Sequence, residues 1–334
     1  MLIRRVDPSH IDVATIEEAG SIIRRGGLVA FPTETVYGLG ADATNAAAVG
    51  GIFAAKGRPS YNPLIVHVDS VAEARRWVSA WPDTAERLAR AFWPGPLTLV
   101  LPKHPSIPDI VTAGLQTVGI RVPSHPVALA LLRAAGRPIA APSANRSMHV
   151  SPTLGEHVAS SLGATPDMIL DAGPASVGIE STVLDLSAAV PVILRPGTIS
   201  RDALAALLGL VDVATGEKPA AGEAHRSPGM MDRHYSPAAR VVLTTSPGVD
   251  AVIEAALREE RTSGAKVVAL SRAPVAEDTF AVWRMPDDPA EYARLLYATL
   301  HRVDAEGFTT VIVEAPPAGA AWDGIRDRLT RAAR

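Results

Sequence analysis

The sequence predicts an α/β or α+β protein, with a large twisted sheet in the first part of the chain and a smaller open α/β unit after it. Three observations carry this expectation. Short apolar runs of strand length alternate with segments of helical spacing as far as Leu208. The stretch from Val211 to Pro237 then breaks the pattern, being rich in glycine, proline, alanine and charge. Beyond it the alternation resumes on a smaller scale, and a chain of 334 residues exceeds the usual size of one domain.

Taken in order, Ile16, Ala19, Ile22 and Ile23 give residues 13–25 a helical period, and Gly26-Gly27 ends it. Residues 28–31 form a short apolar strand. Asn45 is placed to cap a helix running through Ile52 and Phe53 to about Lys56. Residues 64–68 read as a strand, and 71–77 and 84–92 as helices. Strand candidates follow at 97–101, 118–122, 139–141, 168–170, 182–186 and 192–194, with a helix at 202–208. After the break, 240–244, 266–270, 281–283 and 309–313 look like strands, and 249–261, 291–306 and 322–333 like helices. The intervening segment reads as a linker or a loop draped over the surface.

Composition limits the function. Hydrophobic residues make up 47% and charged residues 20%, as in ordinary globular proteins. With no cysteine, disulfides, thiolate zinc sites and a cysteine nucleophile are excluded. The opening MLIRRVDPSHID lacks the apolar run of a signal peptide, and no apolar stretch reaches eighteen residues, so a cytoplasmic protein without a membrane span is expected. A net charge of -3 argues against a broad nucleic-acid grip.

Several motifs carry polar chemistry. In FPTETVYGLGADA, Thr33 and Thr35 lie two apart and would share a face if the segment is extended, as on a hairpin rim. Its glycines match neither the Rossmann nor the Walker fingerprint. Lys56 and Arg58 are also two apart, and Pro59 biases Arg58 towards extended backbone; the pair suits a polyphosphate, or is an exposed pair at a helix end. His67 stands inside the apolar run LIVHV, a setting that most often holds a satisfied core histidine. Trp93 to Thr98 reads as a rigid turn with an architectural role. Arg121, in a strand of small and branched residues, needs an anionic partner, either a protein carboxylate or a substrate carboxylate. Ser143 and Asn145 are short hydrogen-bonding groups for phosphate or ribose, or else turn caps. Ser181 and Thr182 add a hydroxyl pair and Arg195 another cation. No dense metal-ligand cluster is visible, so any metal would arrive as Mg²⁺ on a nucleotide.

In sequence, PTETVYGLG, KGRP with NPL and HV, WPGPLT, VGIRVP, APSAN, SPT, ESTV and LRPG closely resemble the Sua5/YrdC/YciO family from about Val13 to Leu208. SPGMMDRHYSP and the unit after it resemble the longer Sua5 subfamily. The resemblance implies a YrdC-like catalytic domain over 1–210, whose large sheet and helices form a concave cavity. It also implies a linker at 211–237 and a small Rossmann-like Sua5 domain at 238–334.

It implies condensation of L-threonine, bicarbonate and ATP, with Mg²⁺, to threonylcarbamoyl-AMP and pyrophosphate. A downstream tRNA threonylcarbamoyltransferase would then modify position 37 of tRNAs reading ANN codons, any tRNA contact of this chain being weak or indirect. The family signature falls on Lys56, Arg58, Ser143 and Asn145. ATP would be held by Arg58, Asn62, Thr117, Ser143, Ser151 and Arg195, with Lys56 on the phosphates and His234 or Tyr235 closing over the nucleotide. Threonine would be held by Thr35, His67, Arg121, Ala141 and Ser181, with Arg121 on its carboxylate.

One departure is Met148, where the family usually has glycine. Two other readings are weighed: an RNA- or nucleotide-binding member of the fold without synthase activity, and a hydrogenase-maturation carbamoyl-transfer enzyme. The latter would carry an acylphosphatase unit and cysteine motifs absent here.

Overall fold

The computed structural model describes residues 1–214, 224–229, 234–244, 266–273 and 280–334, together with 252, 254–256 and 258. Its first sheet is built from β1 (Leu2–Arg5), β2 (Val29–Phe31), β3 (Gly38–Asp42), β4 (Ile65–His67), β5 (Leu97–Pro102) and β6 (Thr117–Arg121). To these it adds β7 (Ile139–Ala140), β8 (Met168–Asp171), β9 (Thr182–Asp185), β10 (Val192–Arg195) and β11 (Asp212–Val213). The order is β1-β8-β2-β3-β7-β4-β6-β5-β9-β10-β11, parallel and antiparallel pairs being mixed along it. Strands distant in sequence therefore stand side by side, and the residues between β2 and β3 face those after β7 and those before β9.

The helices form where the residues direct them. Asp12 caps Val13–Arg24 through bonds from Ala14 and Thr15 N–H, and Ile16, Ala19, Ile22 and Ile23 are buried. Asn45 accepts from the N–H groups of Ala47 (3.1 Å) and Ala48 (3.2 Å) at the start of Ala46–Lys56. That helix ends on Gly57, left-handed at φ 58°, and the Arg58 N–H returns to Phe53 O at 3.0 Å. The reversal turns the chain inward right after the helix.

Some elements escape the periodicity reading. β1 and β3 were not anticipated, nor were the helices Pro126–Ala135 and Gly155–Leu162. Gly38 to Asp42 has Leu39 as its single large apolar residue among glycines and an alanine, too little for a strand signal; its pairing with β2 and β7 makes it a fully buried strand.

The second sheet holds β12 (Arg240–Leu243), β13 (Val267–Ser271), β14 (Ala281–Arg284) and β15 (Thr310–Val313) in the order β12-β15-β13-β14, all parallel. The helices Pro289–Ala305 and Asp323–Ala332 accompany it. Most of the expected helix 249–261 lies outside the described residues. The core of this unit is not closed on itself: Leu296, Tyr297, Leu300 and Leu329 share one apolar cluster with Val36, Val150, Ile179 and Tyr235. The packing joins the smaller unit to the loops above the large sheet.

The described part of the segment 211–237 is only partly at the surface: Asp212, Val213 and Arg226 are exposed, whereas its later residues turn inward. Ser227, His234, Tyr235 and Ser236 are buried, and Ser236 N–H donates to Met148 O at 3.0 Å. Residues 215–223 and 230–233 of that segment lie outside the described residues.

Candidate active site

A cavity opens where the loop after β2, the ends of β4, β6 and β7, the loop before β9 and the end of β10 meet. Thr35, His67, Arg121 and Ala141 line one part, and Arg58, Ser143, Glu180, Ser181 and Arg195 another. Pro228, Gly229, His234 and Tyr235 complete the wall from the segment between the two units. A residue pattern scattered over two hundred positions is thus gathered at one point.

The loop after β2 is a bend rather than an extended rim, yet the Thr33 and Thr35 hydroxyls do meet, at 2.8 Å. Thr33 Oγ1 also caps the turn, accepting from Val36 N–H at 3.2 Å. Thr35 Oγ1 accepts from Arg121 Nη1 at 3.0 Å.

For Arg121 the structure supplies a protein carboxylate: Nη2 meets Glu34 Oε1 at 2.7 Å, and both side chains are buried. Nε donates to Gly95 O at 3.2 Å, so the turn Trp93 to Thr98, read as architecture, also holds this guanidinium. Glu34 in turn accepts from Ser124 N–H through Oε2 at 3.1 Å. With its charge balanced from behind, Arg121 presents its remaining edge to the cavity without the cost of an unpaired buried cation.

Lys56 and Arg58 are both buried, which removes the exposed-pair reading. Of the two, Arg58 lines the cavity and Lys56 does not. Lys56 Nζ donates to Ser143 O at 2.6 Å and to Asn145 O, behind the cavity wall. Burial, and next the Arg58 charge, hold its pKa well below the usual lysine value. Arg58 does line the cavity, anchored to Asn62 O (3.1 Å) and Pro63 O (2.8 Å).

Ser143 faces the cavity, but Asn145 does not line it. Asn145 Nδ2 donates to Arg146 O (2.9 Å) and His149 O (2.8 Å), the local cap that short amides favour. Ser151 bonds Glu180 from behind, and Asn62 supports Arg58 through its carbonyl. Thr117 borders a smaller adjoining hollow with Pro228 and Arg226. The structure therefore brings Thr35, Arg58, His67, Arg121, Ala141, Ser143, Ser181, Arg195, His234 and Tyr235 to the main cavity, and sets Lys56, Asn62, Thr117, Asn145 and Ser151 around it.

His67 is not a satisfied core histidine. Its Nδ1 is buried with no hydrogen-bond partner among the described residues, and burial, aided by the Arg121 charge, lowers its pKa to about 3. A neutral imidazole results, available as donor or acceptor. His234 is likewise lowered to about 3, mainly by burial, and its Nδ1 and the Tyr235 hydroxyl also have no partner among the described residues. Tyr235 adopts φ 61°, stacks on Tyr297 with centroids 5.8 Å apart, and lies under the Arg328 guanidinium at 5.0 Å.

Two acidic residues were missed by sequence reasoning, Glu34 and Glu180. Glu180 lines the cavity and receives Arg328 Nε at 2.8 Å and the Tyr297 hydroxyl at 3.0 Å. The unexplained anion need of Arg121 was the available signal for the first; nothing local marked the second.

A mixed sheet with a cation-lined cavity at its loop edge, walled in part by the segment between the two units, defines an α/β protein with a candidate small-molecule site. Residues 21–197 match the family model for Sua5, YciO and YrdC described as telomere recombination. Residues 199–334 match the threonylcarbamoyl-AMP synthase C-terminal domain. The chain belongs to the Sua5/YciO/YrdC family, in the long form that carries the Sua5 C-terminal domain.

Among relatives, the threonylcarbamoyl-AMP synthase of Pyrococcus abyssi is 40% identical over 97% of this chain and 95% of that protein. The enzyme of the same name from Bacillus subtilis is 40% identical over 95% of this chain and 92% of that one. The crystal structure of P. abyssi Sua5 complexed with L-threonine superposes with a TM-score of 0.93 at 38% identity, covering 100% of this chain and 98% of that one.

Proposed function

We propose that this chain is a threonylcarbamoyl-AMP synthase, condensing L-threonine, bicarbonate and ATP to threonylcarbamoyl-AMP and pyrophosphate. The supporting observation is the single cavity that joins a small polar end, Thr35, His67, Arg121, Ala141 and Ser181, to a cationic end, Arg58, Ser143 and Arg195, beneath His234 and Tyr235. The first end has the size and groups for an amino acid, with Arg121 taking its carboxylate. The second suits a triphosphate. Lys56, Asn62, Thr117, Asn145 and Ser151 act from around the cavity, holding the loops that carry the contacting groups.

In the reaction the threonine nitrogen bonds to the carbon of CO₂ derived from bicarbonate and releases a proton. A carbamate oxygen then bonds to the α-phosphorus, and the bond from that phosphorus to the bridging oxygen breaks, its electron pair leaving with pyrophosphate. This chemistry asks for alignment and charge neutralisation more than for a strong base. Arg58 and Arg195, fixed in advance by carbonyls and by Ser181, meet the charge developing on the leaving group. A neutral His67 beside Arg121 accepts or relays a hydrogen bond without adding repulsion at the amine.

Mg²⁺ neutralises the triphosphate when it is bound with it. Among the described residues no group of three or more potential ligands could hold a metal, and Glu180, which lines the cavity, is already ion-paired. A metal arriving with ATP would be carried chiefly by its phosphate oxygens and water. The product would serve a downstream tRNA threonylcarbamoyltransferase acting at position 37 of tRNAs reading ANN codons, in the cytoplasm. Among the described residues no helix is long and apolar enough to cross a membrane.

Pyrophosphate release tests the proposal. It should require ATP, threonine and bicarbonate together and fall by about 100-fold or more in Arg58→Ala. Release indifferent to threonine would refute it.

A further inference from the structure

The cationic end of the cavity is held in place from the C-terminal unit. Arg328, on the helix Asp323–Ala332, is 1% exposed and spends its guanidinium on the far side of the domain junction. Nε meets the Glu180 carboxylate at 2.8 Å, Nη2 the Glu180 carbonyl at 3.4 Å, and Nη1 the Pro196 carbonyl at 2.9 Å. Asp327 balances the same group at 2.8 Å. Tyr297, fully buried on the helix Pro289–Ala305, donates to Glu180 at 3.0 Å.

The residues so gripped flank one pair. Ser181, next to Glu180, accepts Arg195 Nε on its carbonyl and Nη2 on its hydroxyl, both at 3.1 Å; Pro196 is next to Arg195. The Arg328 fork therefore spans the two strand ends from which Ser181 and Arg195 reach the cavity. A buried guanidinium is a costly way to fill space, since well-packed apolar residues do as well or better for stability. Its planar fork, by contrast, fixes two backbone carbonyls and a carboxylate in one geometry.

We infer that Arg328 and Tyr297 are positioning residues for the nucleotide end of the site, setting the Ser181–Arg195 pair through Glu180 and Pro196. The C-terminal unit thus completes the phosphate-binding geometry while touching no substrate through these two side chains. The inference rests on the assignment of the Arg195 end to ATP.

Isothermal titration of the full chain with α,β-methylene ATP at saturating threonine, and separately with threonine alone, tests it on Arg328→Met, Arg328→Lys and Tyr297→Phe. Arg328→Met should weaken the analogue about 10-fold or more and threonine by about threefold or less, since the fork holds Arg195 from both Pro196 and Ser181, whereas of the threonine end it holds Ser181 alone. Arg328→Lys should recover part of the loss, a point charge restoring the carboxylate but not the fork. Tyr297→Phe, which removes one hydroxyl and no packing volume, should weaken the analogue about threefold, and it decides the matter if Arg328→Met does not fold. Unchanged analogue affinity in Tyr297→Phe and Arg328→Met would overturn the inference, as would equal losses for both ligands. Wild-type protein that binds threonine but no analogue would instead overturn the ATP assignment beneath it.

Discussion

Gly178 is a place where the two units meet closely through backbone. It has φ 85°, and a Cβ there would stand 2.4 Å from Ala293 O, 2.5 Å from Arg294 Cα and 2.6 Å from Arg294 O. All three atoms belong to the backbone of the helix Pro289–Ala305, so no side chain can swing aside. Gly173 has nearly the same conformation, φ 80°, with nothing within 4 Å of its missing Cβ.

The two alanine substitutions therefore share one cost and differ in another. The left-handed conformation costs alanine about 1–2 kcal/mol, offset by about 0.4–1 kcal/mol from a less flexible unfolded chain. Gly178→Ala adds overpacking of about 1–3 kcal/mol, or separates the helix from the loop leading to Glu180. At roughly 2–4 °C per kcal/mol, thermal melting should place Gly178→Ala about 2–12 °C below Gly173→Ala. The displaced variant should also lose nucleotide affinity, because Ile179 and Glu180 follow directly. Equal melting temperatures for the two variants would refute the claim that the units pack rigidly at this point.

Three further outcomes are expected. Met148 holds φ 73° where glycine is at ease, so Met148→Gly should gain up to about 1 kcal/mol in urea unfolding, with synthase activity retained; a loss of stability would mean that the methionine side chain contributes more than its backbone costs. Glu34→Gln removes the charge behind Arg121, and the threonine KM in the pyrophosphate assay should rise about tenfold while the ATP KM stays within twofold. For pH, folded His67 and His234 are lowered to about 3, whereas the unfolded value is about 6.5. The unfolded chain therefore takes up protons that the folded one refuses; their stability contribution is complete above about pH 6.5 and declines as pH falls towards 3, by about 1.4 kcal/mol per pH unit for each histidine. Urea midpoints unchanged between pH 7 and 5 would contradict that burial.

How much of this was legible in the sequence depends on how local each cause is. The Asn45 cap, the Gly57 stop and the apolar face of Val13–Arg24 are set within a few residues, and all three formed as their neighbours dictate. Strand order is not local: β7 sits between β3 and β4 because of packing that no window of sequence contains. The resemblance marked the polar motifs, yet it could not separate Arg58, which faces the cavity, from Lys56, whose ammonium is spent on the carbonyls of Ser143 and Asn145. Arg121 announced that it needed an anion, and the structure supplied Glu34, only 2.7 Å away though 87 residues distant in the chain. Glu180 was invisible for the same reason carried further, since its partners Tyr297 and Arg328 lie more than a hundred residues downstream.

The pairing of β1 with β8 joins Leu2–Arg5 to Met168–Asp171, and β2 leans on the same strand. During synthesis the first segment to emerge must therefore wait for residue 171 before its edge is satisfied, and β2 waits with it. The wall of the cavity extends this delay: Arg195 comes later, the residues around Tyr235 later again, and Arg328 later than either. The clamp on Glu180 and Pro196 is thus made after the pocket residues that it holds.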